Sequence, residues 1–308
     1  MTIPRIFMYG AGNVGSSCAA VLECRNTGRI TLYDIVDDVA IGQAMDINQT
    51  APFWDSDSKV TGTNTVEDMK DADVVVVTAG APRREGMSRE DLLNSNLTVI
   101  HEIGEAVAKY CPKAFVLVVS NPVDVLTWYL KDTWPDMNVV GLGCCLDSMR
   151  FRYFLAEALR LSVHSTNGMV IGTHNDDMIP LIKHASAEGL PALVQMSMDT
   201  AETIIRRTKE GGTAIVKRLK TRSGFFAAGT AAAQVVESVV RNKQGIFPVS
   251  VTSRGEYGYR GICLSLPAVI GERGVHRIID IDLDDEDRGY LDICADKMKT
   301  TIEQIRKR

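Results

Sequence analysis

Short, wholly apolar runs alternate with longer amphipathic stretches through the first half of the chain. Arg5–Tyr9, Ile30–Tyr33, Asp73–Thr78 and Ala114–Ser120 read as strands, with Val60–Thr63 and Asn138–Val140 as shorter ones. Between them, Val14–Cys24, Ala40–Gln49, Arg89–Tyr110 and Pro122–Lys131 carry apolar residues at helical spacing. Pro112 stops the third of these, and Pro122 suits the first turn of the fourth. Strands without a polar face, separated by helices, predict a parallel sheet covered on both sides.

The second half reads differently. Asp147–Leu161 is helical and Gly168–Gly172 strand-like; Pro191–Glu210 and Gly212–Arg241 predict two helices. Val249–Thr252, Gly261–Leu266 and Arg277–Leu283 predict strands. In the last of these, Ile279, Ile281 and Leu283 alternate with Asp280 and Asp282, which suits an antiparallel sheet with one solvated face. A final helix is expected from about Asp284, acidic at its start and basic at its end, as the helix dipole favours. The pattern changes near 141–143, which divides the 308 residues at 142 into segments 1–142 and 143–308.

Composition narrows the function. With 45% hydrophobic and 24% charged residues, the chain can bury a core. A net charge of −5 offers no basic field for nucleic acid or an anionic membrane, so neither partner is expected. The seven cysteines show no Cys-x-x-Cys spacing, which argues for reduced, buried thiols and against a disulfide framework or a metal site. The first residues enter a strand pattern without the features of a signal peptide, and no apolar run is long enough to span a bilayer. A cytoplasmic location is expected.

Three polar segments carry candidate chemistry. Gly10-Ala-Gly12-Asn13-Val14-Gly15 follows the first strand and opens the first helix. Its glycines suit a tight turn, close approach to a pyrophosphate and helix–strand packing. Asp34 ends the second strand, where a carboxylate accepts hydrogen bonds from a ribose diol and repels a 2′-phosphate, favouring NAD over NADP. The segment from Gly80 to Glu90 holds Arg83, Arg84 and Arg89 and leaves a carboxyl-edge strand end. It reads either as a lid over an anionic substrate or as a solvated basic loop. Asn121 reads as a helix cap or a site residue. Asp147 and Arg150 stand at i, i+3, a spacing that a weak surface ion pair would also explain. Of five histidines, only His174 lies in a polar turn directly after a strand.

Together these residues resemble the lactate/malate dehydrogenases, most closely the lactate-dehydrogenase-like malate dehydrogenases. The resemblance runs from residue 6 to about 283 through GAGNVG, DIVDDVAIGQAMDI, APRREGMSREDLLNSN, VSNPVD, LDSMRFR, IGTHNDDMIPL and GEYGYRG. It implies a Rossmann-type, α/β parallel-sheet domain over 1–142, followed by an α+β substrate and assembly domain with antiparallel strands. NAD contacts are implied at Gly10, Gly12, Asn13, Val14, Gly15, Asp34, Asn96 and Asn121. His174 would be the proton donor and acceptor, and Asp147 the carboxylate fixing its tautomer. Arg150 would grip the substrate carboxylate, while Arg89 and Asn121 would polarise the carbonyl oxygen. Arg83 falls where the family reads the rest of the substrate. Lactate-type members usually carry a neutral residue there, so a cation implies malate and oxaloacetate. Gly224 would leave room for the larger acid. A homodimer or homotetramer is implied. The rivals are an enzyme for another 2-hydroxy acid and a catalytically silent NAD-binding module.

Three departures from the family pattern stand out. Asn175 replaces a glycine in the histidine turn, where a left-handed backbone is expected of it. Cys144 and Cys145 replace a Thr/Gly/Val-rich approach to Asp147. Asn167 stands where sugar-bisphosphate-activated lactate enzymes carry a histidine, which argues against that activation.

Overall fold

The structure, a computed structural model, describes residues 3–80, 89–220 and 222–307, with the backbone alone at 89, 90 and 92. In its first half, β1 (Arg5–Tyr9), β2 (Arg29–Tyr33), β3 (Lys59–Thr63), β4 (Val74–Val77), β5 (Phe115–Val118) and β6 (Asn138–Gly141) pair in parallel in the order β3-β2-β1-β4-β5-β6. The helices between them are α1 (Asn13–Cys24), α2 (Val39–Asn48), the single-turn α3 (Ala51–Trp54), α4 (Arg89–Tyr110) and α5 (Val123–Thr133).

Strand periodicity explains the layers. Ile6, Met8, Val74, Val76 and Leu117 face one side, in a core shared with Cys18, Ala19 and Leu22 of α1. Phe7, Val75, Val77, Val116 and Val118 face the other, against Ile100, Ile103 and Val107 of α4. All four residues of β4 and of β5 are buried, because both faces are covered. The strand order reverses between β1 and β4, which opens a crevice at the carboxyl edge.

α6 (Cys145–Leu159) opens the second half. Five two-residue strands follow: β7 (Thr166–Asn167), β8 (Val170–Ile171), β9 (Ile179–Pro180), β10 (Ser186–Ala187) and β11 (Leu190–Pro191). β8 pairs with β9, and β10 with both β7 and β11. Then come α7 (Met198–Leu219), α8 (Phe226–Val240), the antiparallel strands β12 (Gly245–Arg254), β13 (Arg260–Gly271) and β14 (Gly274–Ile278), and α9 (Asp285–Arg306). The antiparallel strands continue the parallel sheet, with Ser250 of β12 opposite Gly141 of β6. A Cβ at Gly141 would lie 2.9 Å from Ser250 Cβ, so glycine there permits the junction.

Two expected boundaries are corrected. α7 runs through Gly211 and Gly212, and the break falls after Leu219, where Lys220 adopts φ 61°. A Cβ at Gly211 would lie 2.3 Å from Arg150 Cδ, so the glycine admits the Arg150 side chain rather than ending a helix. The second correction is at 279–283, which is not a strand; β14 ends at Ile278. Buried Tyr257 takes the backbone groups that a neighbouring strand would have paired. Its hydroxyl donates to Ile279 O at 2.8 Å and accepts from Ile281 N at 3.0 Å. The last helix starts as expected, with Asp284 accepting from Asp287 N at 2.9 Å.

α8 lies against α1, with a Cβ at Gly229 only 2.7 Å from Cys18 N. The buried Glu237 of α8 accepts from Arg25 Nε at 3.0 Å and pairs with Lys243 Nζ at 2.9 Å. Burial pushes its carboxyl up, but the bonds from Lys243 and Arg25 outweigh this and hold it below the usual carboxylate range. Glu237→Gln should therefore cost about 1.5–3 kcal/mol at neutral pH, the range for bonds to charged groups. The contribution is present above the ordinary carboxylate pKa and is lost as pH falls through the lower folded-state value. Urea unfolding of both proteins at neutral pH and at about pH 3 checks this. An equal difference at both pH values would mean the charge is not what stabilises.

Candidate active site

The site gathers residues from several strand ends and from the helices packed beside them. Just past β1, Gly10 has φ 117°, and a Cβ there would lie 2.7 Å from Thr78 Oγ1. A Cβ at Gly15 would lie 2.0 Å from Gly10 O, so both glycines are needed for the close turn. Gly12 differs: nothing lies within 4 Å of its Cβ position, at the open N-terminus of α1. That is the space and polarity a pyrophosphate requires. Asn13 and Val14 begin the helix. Asp34 follows β2 directly; its Oδ2 accepts from Ala11 N at 3.0 Å and its Oδ1 from Val36 N at 3.1 Å. The carboxylate is thus held beside the glycine turn, and the residues fit a dinucleotide with a free ribose diol.

Val14 and Thr78 join this turn to a cleft of about 660 Å³, which Asn121, Asp147, Arg150 and His174 also line. Asn121 follows β5, and the Asn121–Pro122 peptide is cis. Pro122 is extended (φ −78°, ψ 110°) and precedes α5, so it is not in the first turn as expected. Nor is Asn121 an effective cap: its Oδ1 is 3.4 Å from Val123 N, too long for a strong bond. Its side chain lines the cleft instead, and its carbonyl accepts from Asn96 Nδ2 at 2.7 Å. Asn96, buried on α4, is thereby joined to the same strand end.

Asp147 is completely buried in the first turn of α6. Its Oδ2 lies 2.6 Å from His174 Nδ1, and its Oδ1 accepts from Arg150 at 2.8 Å. This replaces the surface ion pair that the i, i+3 spacing alone would explain: one carboxylate orients two cleft-lining groups. Burial alone would push the His174 imidazole down, but the charge and hydrogen bond of Asp147, aided by Asp124, raise it above its ordinary value. With Nδ1–H facing the carboxylate, Nε2 is the nitrogen available for proton exchange. Arg150 is mostly buried, with its side chain 13% exposed, and it rests in the space left by Gly211.

One residue differs from expectation. Within the histidine turn, Asn175 is not left-handed, whereas Gly172 is, at φ 97°. Asn175 holds its turn through its amide oxygen, which accepts from Asp177 N at 2.8 Å and Thr173 Oγ1 at 3.0 Å. Cys144 and Cys145 are buried behind the cleft, not on its lining, and burial pushes both thiols up. Gly224 does line the cleft, where a Cβ would meet Ile215 at 3.1 Å. Arg83 and Arg84 lie outside the described residues, as does the side chain of Arg89.

Sequence reasoning assigned no role to Gly211, to Asp124, or to Lys209 and Thr213, which bring α7 to the cleft wall. A glycine pair inside a helical pattern was the available signal for Gly211. Nothing local marks the others. Among the described residues, no helix is long and apolar enough to cross a membrane.

Comparison with known proteins places this geometry. Residues 4–141 match the family model for the lactate/malate dehydrogenase NAD binding domain, and residues 144–308 match the model for the alpha/beta C-terminal domain. Among similar solved structures is the apo malate dehydrogenase of Picrophilus torridus, at 36% identity and TM-score 0.94, covering 97% of this chain and 96% of that one. The lactate dehydrogenase of Eimeria maxima with NADH and oxamate is 32% identical, with TM-score 0.94 and coverages of 99% and 95%. The malate dehydrogenase of Salinibacter ruber is 31% identical, with TM-score 0.93 and 98% of each chain covered. Similarity alone therefore leaves two substrates open.

Proposed function

The chain belongs to the lactate/malate dehydrogenase family and is an NAD-dependent oxidoreductase, and from that premise we propose that its substrates are (S)-malate and oxaloacetate. The Asp147 carboxylate shared by His174 and Arg150 carries the catalytic reading. Arg83 and the unfilled side-chain position at Gly224 support the choice of a dicarboxylic acid.

NAD supplies the hydride chemistry when bound. Gly10, Gly12, Asn13, Val14 and Gly15 would hold its pyrophosphate and Asp34 its adenosine ribose, with Asn96 and Asn121 at the nicotinamide end. Arg150 grips the carboxylate next to the reacting carbon through two parallel N–H bonds, a geometry lysine cannot offer. During reduction, negative charge builds on the carbonyl oxygen, and His174 Nε2–H delivers the proton there. During oxidation, the neutral ring takes the proton back. Arg89 and Asn121 complete the polar surroundings of that oxygen. Arg83 pairs with the distal carboxylate.

The division of labour we propose gives cofactor binding to 1–142 and substrate binding and assembly to 143–308. A homodimer or homotetramer is part of this reading, supported by the exposed Met45, Phe53 and Trp54 on neighbouring α2 and α3. So is a cytoplasmic location, on the strength of seven free thiols.

NADH consumption with oxaloacetate and with pyruvate, repeated with NADPH, tests the proposal. Fast turnover is expected only for oxaloacetate with NADH. Arg83→Gln should cost roughly 2–5 kcal/mol in kcat/KM for oxaloacetate, because a desolvated carboxylate loses its partner, and little for pyruvate. Equal losses on both acids would remove Arg83 from the substrate. A preference for pyruvate would make the enzyme lactate-type. Tight NADH binding without turnover of either acid would favour the silent module.

A further inference from the structure

The two members of the acid/base pair come from separate elements. Asp147 stands on α6, and His174 in the turn between β8 and β9. The elements are tied directly by one buried bond, in which Ser148 Oγ of α6 accepts from Val170 N of β8 at 2.8 Å. Ser265 also reaches both elements, and Asp124 joins Ser265 to the His174 backbone. Ser265, in the middle of β13, pairs its backbone with Gly172 in both directions: its N–H donates to Gly172 O at 2.6 Å, and its carbonyl accepts from Gly172 N at 3.0 Å. That fixes the chain two residues before His174. The Ser265 hydroxyl accepts from Cys144 N at 3.1 Å, at the residue that immediately precedes α6. It also points to Asp124 Oδ1 at 3.5 Å. Asp124, in the first turn of α5, accepts the backbone N–H of His174 on its other oxygen at 2.8 Å.

We propose that Ser265 and Asp124 are positioning residues that clamp the start of α6 to the backbone of His174 and so set the Asp147–His174 contact; this rests on reading that pair as the acid/base machinery. The fit is close. A Cβ at Gly143, which has φ 53°, would lie 2.4 Å from Ser265 Oγ, so the chain entering α6 is pressed against the hydroxyl. Ser265 is fully buried and Asp124 nearly so, and water has no access to substitute for a lost bond. The hydroxyl accepts from Cys144 N, which alanine cannot imitate. Removing it strands that buried N–H and frees α6 to shift.

Asp124 has a second influence. Burial raises its own carboxyl, while the Ser250 hydroxyl, the hydrogen bond from His174 N–H and the nearby imidazole favour its charged form. Among the described residues, the charged groups acting on the His174 ring are Asp147 and Arg150 from α6 and Asp124 from α5. Asp124→Asn keeps an acceptor for His174 N–H and turns an amide N–H toward Ser265. It therefore removes the charge while preserving the clamp.

The test measures kcat, KM for the oxo acid, NADH affinity and the pH profile of kcat/KM for wild type, Ser265→Ala, Asp124→Asn and His174→Gln. A displaced catalytic pair should lower kcat in Ser265→Ala about 10–100-fold. NADH affinity, set at the glycine turn and Asp34, should stay within about twofold, and the basic limb attributed to His174 should move to lower pH. Asp124→Asn should move the same limb with a smaller loss of kcat. A Ser265→Ala protein with wild-type kcat and an unmoved profile would overturn the proposal. If that variant does not fold, Ser265→Cys, which keeps the side chain but weakens its hydrogen bonds, decides, and a wild-type kcat with an unmoved profile there has the same meaning. Failure of the underlying reading looks different, because His174→Gln would then retain turnover.

Discussion

Replacing His174 with glutamine should reduce turnover about 10²–10⁴-fold in both directions, the usual contribution of a positioned acid/base group. Glutamine keeps the backbone N–H that Asp124 accepts, so the fold around the turn should survive. It cannot exchange a proton in the working pH range. NADH affinity should be nearly unchanged, because the glycine turn and Asp34 make no contact with His174. Fluorescence titration of NADH alongside steady-state rates separates the two effects. Retention of a large part of the activity would mean another group moves the proton.

Asp147→Asn should be at least as damaging, with an expected loss of about 10³–10⁴-fold, comparable to the cost of a forced tautomer change in serine-protease triads. The reason lies in donor and acceptor counts. Arg150 offers only donors, so the amide must turn its oxygen toward it. Its NH₂ then faces His174 Nδ1 and forces the neutral ring to carry its proton on Nε2. That tautomer cannot accept a proton during oxidation. Reduction suffers for another reason. The carboxylate raises the imidazole against the opposing effect of burial, and without it burial wins. The imidazolium needed for reduction is then populated only at lower pH. In the wild type, reduction should be favoured below the raised His174 pKa and oxidation above it. Asp147→Asn should move that crossover toward acid. A rate profile with an unshifted crossover would show that Asp147 does not govern the proton.

Most of the parallel sheet was legible because its signals are local. DVVVVT and AFVLVVS are apolar without interruption, and only strands covered on both faces call for that. The glycine turn was equally plain, since three fixed spacings and a following strand-end Asp describe a short, contiguous structure. The misread boundaries share one cause. At Gly211 and at 279–283, local propensity gave way to a distant partner, Arg150 in one case and Tyr257 in the other. Asn175 likewise turned out to be held by its own side chain, not by a left-handed backbone.

By itself, the sequence determined the fold class, the family and the cofactor-binding turn, and it singled out Asn121, Asp147, Arg150 and His174 among the residues now found around the cleft. Those follow from residue types at short spacing, where chain connectivity already places the groups together. Only the tertiary structure decided that Asp147 is buried and bonded to both His174 and Arg150 rather than exposed in a surface pair. It also revealed that Ser265, which is 118 residues from Asp147 along the chain, abuts the residue before the same helix. Contacts between residues so far apart depend on how sheets and helices are layered, and no local pattern encodes the resulting distances.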